Sequence, residues 1–170
     1  PRGVGVLAGF ATTAGAYRLL LRVDGLGERL ARAFAGLDAE DLTALAKAGE
    51  AARSAVMATP LPAELQRDVT AASDRLAARL GRAPELAVRS SATAEDLPEA
   101  SFAGAAETFL NVRGQDGLLR AVQQCWASLF TDRAISYRAR MGFDQLRIAL
   151  SIGVMPMVRS DLASSGVMFT

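Results

Sequence analysis

The spacing of apolar residues changes once along this chain, and that change limits what it can fold into. Leu26, Leu30 and Phe34 stand four apart; Leu42, Leu45, Ala46, Gly49, Ala52 and Val56 mark a second helical face; Leu65, Val69, Ala72, Leu76 and Leu80 mark a third, which runs to Gly81. A period near 3.6 places such residues on one side of a helix. Beyond Gly81 the pattern shortens. Leu86-Ala87-Val88 is a brief apolar run, Thr108 to Val112 reads as a strand, and Ile148, Leu150, Ile152 and Val154 alternate with other residues. Strict alternation marks a strand with one buried face. Helices over most of residues 12–80 and strands near 86–90, 108–112, 147–158 and 166–170 make an α+β chain with a mostly antiparallel sheet. The reading divides it into a helical N-terminal segment, 1–80, and an α+β segment, 81–170. At 170 residues the chain has the length of one domain, or of two small ones.

Local signals set the expected boundaries. Thr12 or Thr13 opens a helix from Ala14 to Val23, because a threonine hydroxyl accepts from an early unpaired N–H. Gly25 and Gly27 break or kink it. Asp38 with Asp41 resembles a capping pair. Pro60 and Pro62 form a joint, and Pro62 suits a first helical turn. Leu118, Val122, Cys125, Trp126 and Leu129 are the core stripe of a later helix, and Thr131 caps another, running to Met141. Cys125 and Trp126 are read as core, Arg133 and Arg138 as helix-surface or inter-element cations, and Met155, Met157 and Met168 as core fillers.

Composition removes whole classes of chemistry. The chain has no histidine, so it holds no Ser-His-Asp triad, imidazole base, His metal ligand or phosphohistidine. One cysteine leaves no internal disulfide and no Cys-cluster zinc site, and fits a reducing, cytoplasmic compartment. The 34 alanines favour helix. With 19 basic and 18 acidic residues the chain is not a basic nucleic-acid platform. No apolar run approaches the ~20 residues of a membrane span. Arg2 with the apolar stretch to Ala11 imitates a secretory signal only loosely, since glycines and Thr12-Thr13 interrupt it. The chain starts at Pro1 rather than Met and stops after Val167-Met168-Phe169 in mid-strand, as a piece of something longer would.

One segment carries chemistry. A strand delivers Arg89, and residues 90–104 follow with Ser90, Ser91, Thr93, Ser101 and Gly104 among acidic residues. A guanidinium grips phosphate oxygens bidentately, and hydroxyls with loop N–H groups complete an anion nest. The competing reading is a solvated loop with Arg89 in a salt bridge. Glu95, Asp96, Glu99 and Glu107 against one arginine support it, unless a metal or further cations share the site.

Residues 89–104, followed by Glu107-Thr108-Phe109-Leu110-Asn111-Val112, closely resemble the nucleotide-binding region of phosphoenolpyruvate synthases, of the PEP-utilising dikinase family. The resemblance continues through Cys125-Trp126-Ala127-Ser128-Leu129-Phe130-Thr131-Asp132-Arg133-Ala134-Ile135-Ser136-Tyr137-Arg138, then Met157-Val158-Arg159-Ser160-Asp161-Leu162-Ala163 and Ser165-Gly166-Val167-Met168-Phe169-Thr170. At the front, Gly9-Phe10-Ala11-Thr12-Thr13 with Ala16-Tyr17-Arg18 looks like the family's early helix.

The resemblance implies an ATP-grasp-like domain that binds ATP with Mg2+ and phosphorylates a histidine on a separate swivelling domain. The group then passes to pyruvate on a barrel domain, giving AMP, phosphoenolpyruvate and phosphate. It assigns Arg89 to the phosphates as the catalytic residue. Ser90, Ser91, Ser101, Gly104 and Thr108 join it around the nucleotide, and Met155, Met157, Val158 and Arg159 line the adenine. Neither nucleic acid nor membrane is an implied partner. Three positions depart from the family pattern: the glycine-rich turn with its phosphate-binding lysine is missing, Ala105-Ala106 replaces Gln-Gln, and Met155 stands where a glutamine is usual. The metal ligands are expected beyond Thr170, and this segment alone is expected to be inactive. Rifamycin-type antibiotic phosphotransferases share the Arg-Ser-Ser-Ala loop and are the nearest alternative; a degenerate, non-catalytic module is the other.

Overall fold

The computed structural model describes residues 7–38, 40–92, 107–159, 162 and 166. In chain order these form β1 (Phe10–Thr12), α1 (Ala14–Arg22), α2 (Leu26–Phe34), α3 (Leu42–Ala58), α4 (Ala63–Leu80), β2 (Leu86–Ala92), β3 (Thr108–Val112), α5 (Gly114–Ala127), α6 (Asp132–Arg140) and β4 (Leu150–Pro156), with 3-10 turns at Val23–Gly25 and Ser128–Phe130. The chain is α+β.

The helix ends follow from local chemistry. Asp41 caps α3, its carboxylate accepting from the Ala44 N–H at 2.9 Å, while Asp38 accepts from the Glu40 N–H at 2.9 Å in the preceding turn. Thr131 caps α6 through the Ala134 N–H at 3.4 Å. Gly81, at φ +68°, closes α4 in the left-handed conformation that glycine adopts without a Cβ penalty. Asp24 and Gly25, both at positive φ, turn the chain between α1 and α2. Gly27 does not break α2; it continues the helix against the Leu21 carbonyl.

The four strands form one antiparallel sheet in the order β1-β4-β2-β3. Leu86, Val88, Leu150, Ile152 and Val154 turn one face into the core, where α5 packs. Cys125 Sγ lies 3.9 Å from the Val88 carbonyl, and Trp126 Nε1 donates to the Leu150 carbonyl at 3.4 Å. Tyr17 of α1 meets Trp126 with ring centroids 6.1 Å apart, and Phe34 of α2 stacks on Phe130 at 5.6 Å. Helices from the first half and strands from the second therefore share a core. α3 approaches α6 closely at Gly49, where a Cβ would stand 2.7 Å from Ile135 Cδ1 and 2.8 Å from the Phe130 carbonyl.

Four expectations are corrected. Residues 10–12 form a strand, not part of a helix, because Thr12 pairs with Ile152 and its hydroxyl accepts the Ile152 N–H at 3.0 Å. Thr13 stands at the N-cap of α1 without a side-chain cap bond. The strand expected over 147–158 is limited to Leu150–Pro156. Asp144 accepts from the N–H groups of Leu146 and Arg147 and so makes a turn ahead of it, and beyond Pro156 a single further bond, from the Met157 N–H to the Glu85 carbonyl, continues the pairing. Leu42, placed on the apolar stripe of α3, is exposed at its first turn. The strand expected near 166–170 lies outside the described residues except for Gly166.

Candidate functional site

Period-2 geometry decides which residues meet on the face of the sheet opposite α5. Arg89 pairs with Gly153 of β4 on one side and Thr108 of β3 on the other, and Gly153 pairs with Ala11 of β1. Ala11, Gly153, Arg89 and Thr108 thus form a row across all four strands. Arg89 is exposed, and among the described residues no acceptor engages its guanidinium. A second row holds Ala87 beside Met155, with Gly9 against Met155: a Cβ on Gly9 would come within 2.6 Å of the Val154 carbonyl and 3.5 Å of Met155 Cβ. In a third, Ser91 pairs with Ser151, whose hydroxyl donates to the Ser91 carbonyl at 3.2 Å. Among the described strand residues on this face, Arg89 carries the one charged side chain.

The structure separates residues that the sequence grouped. Ser91 shares the face of Arg89, but Ser90 shares the opposite face with Val88 and donates to the Glu107 carbonyl at 3.4 Å. Thr108 stands directly beside Arg89. Ser101 and Gly104 lie outside the described residues. Met155 faces the same side as Arg89 and is half-buried, not a core filler. Met157 follows the end of β4, and its N–H donates to the Glu85 carbonyl at 2.8 Å. Val158 and Arg159 are exposed. Met157 and Arg159 border a cleft of about 380 Å³ with Arg82, Glu85 and Leu162. Glu85 is held there by Arg113, whose Nε donates to Oε1 at 3.0 Å. From the level of Arg89 to that of Met157 is four residues, about 13 Å at ~3.3 Å each. One strand pair therefore presents a cation at one end and a cleft at the other.

The sequence did not single out Ala11, Gly153 and Ser151. Their signal was the alternation of small residues with the buried ones in β4. Buried groups elsewhere are not available for chemistry at this face. Burial pushes the Cys125 thiol up to about 12, with a further push from Glu107. The Tyr17 hydroxyl is raised well above its ordinary range by burial, against a smaller opposing pull from Arg138. Among the described residues no group of three or more acidic, cysteine or histidine side chains is placed to hold a metal ion. Among the described residues no helix is long and apolar enough to cross a membrane.

Comparison with known proteins places the chain in a family. Residues 1–170 match the family described as pyruvate phosphate dikinase, AMP/ATP-binding domain. The chain belongs to that family. It is 52% identical over 170 residues to a phosphoenolpyruvate synthase of Neisseria meningitidis, covering 99% of this chain and 21% of the relative. It is 52% identical over 168 residues to the Escherichia coli phosphoenolpyruvate synthase, with coverage of 99% and 21%. The Aquifex aeolicus phosphoenolpyruvate synthase is 44% identical over 171 residues, with coverage of 100% and 20%. The chain spans about a fifth of the length of these relatives.

Proposed function

We propose that this chain is part of the ATP-binding domain of a phosphoenolpyruvate synthase-like enzyme, with 1–80 its helical segment and 81–170 its ATP-grasp-like segment. The parent would convert ATP, pyruvate and water to AMP, phosphoenolpyruvate and phosphate in the cytoplasm, through a phosphohistidine on a swivelling domain and a pyruvate-binding barrel. The observation that carries the reading is the exposed Arg89 beside Thr108 and Gly153 on the face of the sheet opposite α5. Its guanidinium would hold the ATP phosphates and stabilise charge developing during transfer. Thr108 would offer a hydroxyl beside it, with Ser91, Ser101 and Gly104 near the phosphates. Gly153 and Ala11 would leave room for the chain of the nucleotide, and Met155 and residues 157–159 would line the adenine. Ser90, turned to the other face, would act through its backbone. Mg2+ would be held by ligands outside this chain, and the chain alone would not turn over.

The test is Arg89→Ala in the full-length parent enzyme. The expected loss is about 2–4 kcal/mol of transition-state stabilisation, the scale of one aimed donor. Near-normal turnover would make Arg89 structural. Met155 favours a second reading, a module that keeps the fold and has lost ATP, since a thioether cannot make an amide's hydrogen bonds.

A further inference from the structure

Arg138 lies inside the molecule, 1% exposed, with no carboxylate paired to it among the described residues. Its Nε donates to Gln145 Oε1 at 2.7 Å, and its Nη2 donates to the Leu129 carbonyl. Gln145 donates in turn to the Ile135 carbonyl at 3.2 Å. The guanidinium thus ties the 3-10 turn Ser128–Phe130 and α6 to the connection that runs from α6 into β4. Five residues after Gln145, the Leu150 carbonyl accepts from Trp126 and β4 begins. A cation buried without a counter-ion is a costly way to fill a core, and apolar side chains of similar volume are often as stabilising or more so. What the guanidinium adds is a fixed, directional set of bonds at the entrance to the strand that holds Gly153 and Met155.

We propose that Arg138 is a positioning residue for the nucleotide face: with Gln145 it fixes the start of β4, and so sets where Gly153 and Met155 stand against Arg89 of β2. For its ligand the inference rests on the ATP-binding reading; for the strand it stands by itself. The position matters because a strand held loosely at one end lets register and spacing wander, and a one-residue slip would turn Gly153 and Met155 to the other face.

The experiment uses the full-length parent chain with Arg138→Met, Gln145→Leu and the double variant. ATP affinity is measured by calorimetry, amide hydrogen exchange over residues 151–155 without ATP, and the melting temperature. Each single variant is expected to weaken ATP binding about tenfold and to speed exchange at 151–155 at least tenfold, with the melting temperature nearly unchanged. The double variant should be no worse than either single one, since both break one linkage. Arg138→Lys, which keeps the charge but not the fork, should behave like Arg138→Met. A lowered melting temperature with unchanged ATP affinity and exchange at 151–155 would make Arg138 merely structural and overturn the proposal. So would failure of all the variants to fold. If the unmodified enzyme does not bind ATP, the functional reading fails, and the exchange measurement still decides the role of Arg138.

Discussion

At the scale of single residues, alternation along β2 divides adjacent side chains between opposite faces. Ser90 and Ser91 look alike in the sequence, yet only Ser91 shares the side of Arg89. Met155 shares that side too, and this makes the missing amide testable. Met155→Gln in the full-length enzyme should tighten ATP binding by about 0.5–1.5 kcal/mol, the net worth of one hydrogen bond. Unchanged binding in a calorimetric titration would mean that Met155 does not reach the base. Cys125 supplies a test of burial. Its thiol titrates near 9 when unfolded and near 12 when folded. The folded state therefore keeps its proton where the unfolded state has lost it, and stability falls as pH rises above 9. Tyr17, also raised by burial, adds to the decline as pH nears its ordinary value of 10, so Cys125→Ala should lessen the decline between pH 9 and 10 in denaturant-midpoint measurements without abolishing it. An equal decline in that variant would assign the effect elsewhere. Arg138 was legible as a family match but not as a buried group, although it falls three and four residues after Ile135 and Ala134 on their buried face. A charged residue at an apolar spacing was the available signal.

Secondary-structure elements with strong local signals were readable without coordinates. The stripes of α3, α4 and α5 and the caps at Asp41, Thr131 and Gly81 stand where periodicity and capping chemistry put them. β1 was not readable, because three residues are too few for a period and its pairing partner is 140 residues away. The ends of β4 were overextended because apolar alternation at Ile148 continues through residues that are buried but unpaired. Two substitutions test the elements. Gly49→Ala gains about 1 kcal/mol of helix propensity. Its Cβ, however, would sit 2.7 Å from Ile135 Cδ1 and 2.8 Å from the Phe130 carbonyl, a backbone atom that cannot swing aside. Overpacking of that kind costs about 1–3 kcal/mol, so chemical denaturation should show a net loss; a gain would mean that α3 and α6 separate freely. Thr131→Ala removes the cap of α6 and should cost ~1 kcal/mol; no change would mean that the cap is idle.

At the scale of the whole molecule, α5 packs on one face of the sheet, and Arg89 with its small strand neighbours stands on the other. The α+β class was legible from the switch in period at Gly81. The strand order was not, since β4 inserts between β1 and β2 through pairings that no local pattern encodes. The candidate site was named as a set of residues through the family resemblance, but its geometry needed the register that puts Arg89 beside Gly153 and Thr108. The central claim is that this face binds the nucleotide lengthwise, phosphates at Arg89 and base toward residues 157–159. Calorimetric titration of the full-length enzyme and its Arg89→Ala variant with ATP and with adenosine tests it most directly. The variant should lose about 10- to 100-fold in ATP affinity, the range of a charge-assisted bond, while adenosine binds as before. Unchanged ATP affinity, or an equal fall for both ligands, would contradict it.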